Sequence, residues 1–288
     1  MADMLIQNAR VIDPSRQLDC VADVWIKQGR IEAIGKPDVQ PEQVLDAAGL
    51  VLCPGLVDMH VHLRDPGLEY KEDILTGCEA AAAGGVTKVA CMPNTSPTTD
   101  CAEVVREILR RAQSAKAKVY PVASITKGLD GEFLTDYASV RQAGAVAVSD
   151  DGRPVKNARI MQEALARAME NDLLVISHCE DMDIIGKGII NKGEISRQLG
   201  VEGMDRTSED SITAREIALA AATGTRIHIA HVSTRGSVAL IRDAKRRGVR
   251  VTAETCPHYF TLTDAELLKK DANYRMNPPL RMRRYLPL

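Results

Sequence analysis

Seven short apolar segments alternate with amphipathic helical segments after Pro54, and this alternation constrains the fold more than any other feature. Continuous apolar strands separated by helices indicate a parallel sheet that is covered on both faces. Seven such steps in a row favour an α/β barrel of the TIM (β/α)8 type over an open doubly wound sheet. The predicted strands are 56–62, 88–92, 118–123, 145–149, 173–178, 226–231 and 249–253, and the predicted helices are 70–83, 101–115, 158–171, 208–223 and 237–247.

The first fifty residues follow a different pattern, in which short alternating segments are separated by turn signals such as Asp13-Pro14-Ser15. This pattern predicts a small antiparallel β-domain of the sandwich type over residues 1–52, followed by the barrel domain over residues 53–288. Only seven barrel strands can be identified, and segment 282–288 is too short and too cationic to form another. We therefore expect a barrel that lacks strand eight.

Composition excludes several classes of partner. The chain has 37 basic and 39 acidic side chains and only 3% aromatic residues, so it offers neither a basic field nor stacking platforms for nucleic acid. No run of about eighteen apolar residues could span a membrane, and the N-terminus lacks the features of a signal peptide. The seven cysteines are odd in number and form no C-x-x-C pair, which indicates reduced thiols. We expect a cytoplasmic protein that binds a small molecule.

Histidines and carboxylates cluster at the predicted strand ends. In an α/β barrel the active site lies where strands end in loops. The first strand ends in His60-Val61-His62, whose two imidazoles share a face because side chains two apart on a strand point the same way. The fourth, fifth and sixth strands end with Asp150-Asp151, His178 and His231. A single strand-end histidine is more often a core or surface residue than a ligand, but this combination at one rim predicts a metal site.

Imidazole and carboxylate ligands suit zinc, and the same donors also accept manganese or cobalt. Spacing alone does not decide whether Asp150 or Asp151 faces the metal. His228, three residues before His231, should face away from it, and we expect a structural role for His228 and for His258.

Several motifs resemble those of the dihydroorotases of the amidohydrolase superfamily. The first is the metal-binding signature around the first strand, and the others follow in the family's order. They are Gly55-Leu56-Val57-Asp58-Met59-His60-Val61-His62-Leu63-Arg64-Asp65-Pro66-Gly67, Met92-Pro93-Asn94-Thr95, Ser149-Asp150-Asp151-Gly152, Ser177-His178-Cys179-Glu180, His231-Val232-Ser233-Thr234 and Asn277-Pro278-Pro279-Leu280-Arg281. The resemblance covers residues 4–281.

The resemblance implies an amidohydrolase-type barrel with two zinc ions that interconverts N-carbamoyl-L-aspartate and L-dihydroorotate in pyrimidine biosynthesis. It implies that His60 and His62 bind one zinc, that His178 and His231 bind the other, and that Asp151 bridges both. Superfamily relatives use a carbamylated lysine at the bridge, whereas no lysine ends strand four here. The residues that the resemblance assigns to substrate binding are His62, Arg64, Asn94 and Asn277. For Arg64, an ion pair with Asp65 or Glu69 is the alternative.

One family feature does not occur in these 288 residues. The family places a proton-shuttling aspartate at the end of strand eight, in a Thr-Asp-His-Ala-Pro type of motif. We therefore identify no catalytic acid or base in this chain, and expect a C-terminally truncated dihydroorotase of low activity. The alternatives are another cyclic amidohydrolase, such as a hydantoinase or allantoinase, and an inactive dihydroorotase-like partner subunit. A homodimer or an association with aspartate transcarbamoylase is the expected assembly.

Overall fold

A computed structural model describes residues 3–38 and 40–286, in two compact units, Met1–Leu56 and Val57–Leu288. The first unit contains a five-stranded sheet built around a long central strand. Its strands are β1 (Met4–Asp13), β2 (Leu18–Lys27), β3 (Arg30–Gly35), β4 (Gln43–Asp46) and β5 (Val51–Leu52). A small apolar core of Ile6, Ala9, Val11, Val24 and Ala47 stabilises this sheet.

The prediction of an antiparallel first sheet is correct for β1, β2 and β3 but wrong for β4 and β5. Both of these strands pair parallel with β1. All four residues of β4 are exposed, so this strand lacks the apolar alternation by which a sequence reveals a strand. β1 is one continuous strand, and its pairing with β2 shifts register between Ile6 and Ala9.

The second unit contains a parallel sheet of seven strands, which confirms the predicted α/β class and barrel type. The strands are β6 (Leu56–Val61), β7 (Val86–Cys91), β8 (Lys118–Ala123), β9 (Ala147–Val148), β10 (Leu174–Ser177), β13 (Ile227–Ile229) and β14 (Val251–Ala253). They lie side by side in chain order from β6 to β14. A separate pair, β11 (Ile190–Asn191) and β12 (Gly203–Met204), lies in the connection between β10 and β13.

The sheet curls strongly. His60, on β6, lies within hydrogen-bond distance of Glu254, the residue directly after β14, although these two strands stand at opposite ends of the sheet order. The carboxyl ends of the terminal strands therefore approach each other, as they do in a barrel. The segment after Arg281, predicted not to be a strand, forms a single 3-10 turn at Arg283–Tyr285, and residues 287 and 288 lie outside the described part.

Helices follow most strands of this sheet. They are α1 (Ile74–Ala83), α2 (Ala102–Arg111), α3 (Tyr137–Ala143), α4 (Ala158–Glu170), α5 (Met182–Ile185), α6 (Glu194–Leu199), α7 (Thr207–Thr223), α8 (Arg235–Arg246) and α9 (His258–Thr261). The side chain of Asp73 caps α1 by accepting hydrogen bonds from the amides of Leu75 and Thr76, so the helix begins four residues later than predicted. Within the described residues, no helix is long and apolar enough to cross a membrane.

Both faces of the central strands β9, β10 and β13 are buried, which explains their largely apolar sequences. Adjacent residues of β10 belong to different apolar clusters, Val175 on the helix-covered face and Ile176 on the opposite face. The same alternation separates Val148 from Ala147 in β9. The strand-end residues therefore project from a sheet whose central strands are packed on both faces.

Candidate metal centre

Four imidazoles surround the carboxylate of Asp151 at the carboxyl ends of the strands. His60 and His62 come from the end of β6, Asp151 follows β9, His178 follows β10, and His231 follows β13. From Asp151 Oδ1 the distances are 3.4 Å to His60 Nε2, 3.3 Å to His178 Nδ1 and 3.5 Å to His231 Nε2. Asp151 Oδ2 lies 3.4 Å from His62 Nε2. The structure thus brings together all five residues that the sequence singled out as metal ligands.

These separations fit the edges of metal coordination tetrahedra. Zinc–nitrogen bonds of about 2.0–2.1 Å place two ligands of one tetrahedral ion about 3.3–3.4 Å apart. The donors form two groups that share Asp151: His60 and His62 lie in one, and His178 and His231 in the other. His178 Nδ1 and His231 Nε2 are closer, at 2.7 Å, and would have to separate to bind one ion together. The donor set fits two divalent cations bridged by one carboxylate.

Asp150 faces away from this cluster. Its side chain accepts hydrogen bonds from the backbone amide and the hydroxyl of Thr126, and burial raises its pKa to about 6. Consecutive residues at the end of a strand point to opposite sides. Spacing alone could not distinguish the two aspartates, and in the structure Asp151 is the one that faces the histidines.

The charges of the cluster are strongly coupled. Burial opposes ionisation of Asp151, but hydrogen bonds from His178, His231 and His60 outweigh it and hold the pKa of this carboxyl well below its usual range. Burial also opposes protonation of His60, yet its contacts with Asp151 and Glu254 raise its pKa to about 10. Burial lowers the pKa of His62 to about 4. The result is an ionised carboxylate paired with protonated His60, and a divalent cation bound there would displace that proton.

Three of the ring nitrogens that point away from Asp151 also have partners. His60 Nδ1 lies 2.7 Å from Glu254 Oε1, His62 Nδ1 lies 2.9 Å from Asn94 Oδ1, and His178 Nε2 lies 3.1 Å from Glu180 Oε2. Outer partners of this kind fix which nitrogen of a ligating histidine faces the metal. Neither Glu254 nor Glu180 has a role predicted from the sequence. Both follow barrel strands closely, so the rule that found the histidines could have found them too.

Both polar atoms of the Asn94 amide have partners. Oδ1 contacts His62, and Nδ2 donates to the backbone carbonyl of Asp151 at 2.8 Å. Its assignment to substrate binding stays a prediction. Asn277 is exposed, and its Nδ2 lies 3.4 Å from Glu180 Oε2, on the His178 side of the cluster.

Arg64 lies two residues beyond His62, in the left-handed backbone region with a φ of 59°. Its alternative partners, Asp65 and Glu69, both pair with Arg111. The ion pairs of the described residues include none with Arg64, and its assignment to substrate binding stays a prediction.

His228 and His258 lie outside the cluster, as expected. His228 is buried, with Nδ1 2.8 Å from Thr252 Oγ1 and Nε2 3.2 Å from Glu254 Oε2. The ring of His258 packs edge-on against Tyr259. His228 therefore supports Glu254 and does not contact Asp151 directly.

The loop that follows His231 is held by a buried carboxylate that the sequence analysis missed. Glu209, on α7, accepts hydrogen bonds from the backbone amides and hydroxyls of Ser233 and Thr234 and pairs with buried Arg281. Acidic residues are common in the first turn of a helix, where Glu209 lies, so its sequence position gives no signal of burial. This contact ties the His231 loop to the segment that carries Asn277.

Comparison with known proteins identifies the relatives of this chain. A family model described as Dihydro-orotase-like matches residues 49–237. The dihydroorotase of Geobacter metallireducens is 50% identical over 282 residues, and that of Syntrophotalea carbinolica is 52% identical over 281. These matches cover 97% and 96% of the chain but 66% of each relative. The chain thus spans about two thirds of the length of the curated relatives it matches.

Solved structures of cyclic amide hydrolases share the fold. The L-hydantoinase (dihydropyrimidinase) from Arthrobacter aurescens superposes with a TM-score of 0.84 at 23% identity, covering 100% of this chain and 65% of that one. The dihydropyrimidinase from Brevibacillus agri NCHU1002 gives a TM-score of 0.79 at 26% identity, covering 98% and 64%. The first likeness shows the fold alone, and together they support the amidohydrolase-type barrel that the sequence predicted.

Proposed function

We propose, from the premise that the chain belongs to the dihydro-orotase-like family, that it is a metal-dependent dihydroorotase. The reaction is the reversible cyclisation of N-carbamoyl-L-aspartate to L-dihydroorotate in pyrimidine biosynthesis. The observation that carries the proposal is the arrangement of four imidazoles around the Asp151 carboxylate at the catalytic end of the barrel. Relatives about half identical to this chain and named dihydroorotase support the choice of substrate.

The proposed metal is zinc, with two ions per chain. His60 and His62 would hold one ion, His178 and His231 the other, and Asp151 would contribute an oxygen to each. Zinc bound there would supply Lewis acidity, polarising an amide carbonyl and bringing the pKa of water to about 7. Asn94 and Glu180 would hold the outward nitrogens of His62 and His178, so that these rings present their other nitrogen to the ions.

The substrate's free carboxylate would bind Arg64, whose planar guanidinium can form two parallel hydrogen bonds. Asn277 lies on the opposite side of the cluster, beside Glu180. The substrate would therefore extend from the His62 side, where Arg64 lies, to the His178 side. His62 and Asn94 complete the proposed binding set. We assign proton transfer to none of the described residues.

The test combines a metal assay, a binding assay and a turnover assay on one sample. Titration calorimetry of the zinc-loaded chain would compare L-dihydroorotate with dihydrouracil, which has the same ring without the carboxylate. We expect binding of dihydroorotate and much weaker binding of dihydrouracil. Equal binding of both would favour a hydantoinase or dihydropyrimidinase activity, and binding of neither would refute the proposal.

Turnover separates the remaining alternatives. Metal and dihydroorotate binding with turnover would establish an active dihydroorotase, whereas the same binding without turnover would favour an inactive partner subunit. The proposed setting is the cytoplasm, which the seven free cysteines support. A homodimer or an association with aspartate transcarbamoylase is the proposed assembly, and analytical ultracentrifugation with and without that enzyme would test it.

A further inference from the structure

We infer that Glu254 is a positioning residue for the metal centre, which holds His60 in the tautomer and orientation that bind the first ion. The inference rests on the proposed function, because it concerns a ligand of the proposed ions. Glu254 is outside every motif on which the resemblance depends. It directly follows β14, at the far end of the sheet order from the strand that carries His60.

The two oxygens of Glu254 contact two different imidazoles. Oε1 lies 2.7 Å from His60 Nδ1, and Oε2 lies 3.2 Å from His228 Nε2. An ionised carboxylate only accepts hydrogen bonds, so both of these ring nitrogens must carry a proton. A metal ion can bind His60 once Nε2, the nitrogen that faces Asp151 at 3.4 Å, has given up its proton, and with the remaining proton on Nδ1 the lone pair lies on Nε2. Glu254 thereby selects the ligating form of His60.

The same argument from donors and acceptors assigns the proton of His228. His228 with its proton on Nε2 has a lone pair on Nδ1, which accepts from the hydroxyl of Thr252 at 2.8 Å. Every donor from Thr252 through His228 to Glu254 then has an acceptor. Both imidazoles and the carboxylate are largely buried. The side-chain exposures are 11% for His60, 5% for His228 and 21% for Glu254. His228 therefore orients Glu254, and Glu254 orients His60.

The backbone of Glu254 is anchored to the strand that carries the second ion's ligand. Its amide donates to the carbonyl of Ile229 at 3.1 Å, and its carbonyl accepts from the amide of Val232 at 2.8 Å. These two residues flank His231. The side chain of Glu254 thus reaches from the His231 strand end to His60, and it joins the ligand groups of the two proposed ions independently of Asp151.

The test measures metal affinity as well as activity. Glu254→Ala should lower the affinity for the first ion by about 10–100-fold, the range found for outer partners of ligating histidines. Glu254→Gln keeps an oxygen that can accept from His60 Nδ1, so its loss should be smaller. Glu79→Ala, which removes an exposed carboxylate paired with Lys116, is the matched control and should bind metal as the wild-type chain does.

The assay is cobalt(II) binding to the metal-free full chain, followed by its visible spectrum and by competition with a chelator. The unfolding midpoint of each metal-free variant separates a positioning role from a purely structural one. We expect a weaker and altered cobalt spectrum in Glu254→Ala. In a His60→Ala background, Glu254→Ala should cause no further loss of affinity.

Three outcomes would overturn the inference. Wild-type metal affinity in both Glu254 variants would overturn only the inference about Glu254 and would not contradict the proposed metal centre. Equal losses in Glu254→Ala with and without His60 would show that Glu254 acts on the fold and not through His60. No cobalt binding by the wild-type chain would overturn this inference together with the proposed function.

Discussion

Removing the buried carboxylate of Glu209 should lower the stability of the barrel unit more than removing an exposed charged side chain does. Glu209 is 4% exposed and holds the loop after His231 by accepting from the amides of Ser233 and Thr234, at 2.9 and 3.0 Å. It also pairs with Arg281, which is 3% exposed, at 3.3 Å. Glu209→Ala would leave two buried amides and one buried guanidinium without this acceptor.

The expected cost follows from these contacts. A buried donor left without a partner costs about 1–3 kcal/mol, and breaking one side of a buried ion pair costs about 3–5 kcal/mol. Because the loop can relax and water can enter, we take the lower end of the summed range, about 5 kcal/mol. This is a large share of the roughly 5–15 kcal/mol by which a folded protein is stable.

Urea unfolding in the presence of a chelator would measure this loss without a contribution from bound metal. With a urea m-value of roughly 1–3 kcal/mol/M, the midpoint should fall by more than about 1 M. The control is Glu194→Ala, which removes an exposed pair with Arg197 and should cost less than about 1 kcal/mol. A Glu209→Ala midpoint no lower than that of Glu194→Ala would refute the structural role of Glu209.

Two further predictions concern substrate binding and pH. Arg64→Lys should weaken dihydroorotate binding about tenfold or more, because an ammonium cannot form two parallel bonds to a carboxylate. The unfolding midpoint should not change. Wild-type affinity by calorimetry would show that the carboxylate of the substrate binds elsewhere. Burial raises the pKa of Glu216, against the opposing effect of Arg215, and its Oε2 has no hydrogen-bond partner among the described residues. The stability that this raised pKa contributes is fully present below the unfolded pKa of about 4.5 and is lost as pH rises through the folded value. Glu216→Gln should therefore raise the melting temperature at pH 7 but not at pH 4, and an equal change at both pH values would contradict this reasoning.

The positions of the candidate ligands could be predicted because they follow a rule of the fold. His60, His178 and His231 lie at or just beyond strand ends, and apolar runs locate those ends within a residue or two. The central strands were predictable because both of their faces are buried and their sequences are largely apolar. β8 occupies the predicted range without any shift, at Lys118–Ala123.

What the sequence could not supply depends on side-chain direction and long-range contact. Asp150 and Asp151 are the same residue type at adjacent positions, and only the backbone at the end of β9 decides which one faces the histidines. Glu254 and His60 are 194 residues apart, so their contact depends on the curl of the whole sheet. Nothing in the sequence distinguishes Glu209 from an exposed helical glutamate, because its burial results from the packing of α7 against the loop that follows His231. The exposed strand β4 carries no apolar pattern at all.

The central claim is that one carboxylate joins two metal ions, and the metal content of adjacent aspartate variants tests it most directly. Purified wild-type chain should hold about two zinc-like ions by elemental analysis. Asp151→Asn should hold far fewer, because Asp151 belongs to both ligand groups, whereas Asp150→Asn should hold as many as the wild type, because Asp150 faces Thr126. Wild-type metal content in Asp151→Asn, or equal losses in the two variants, would contradict the account.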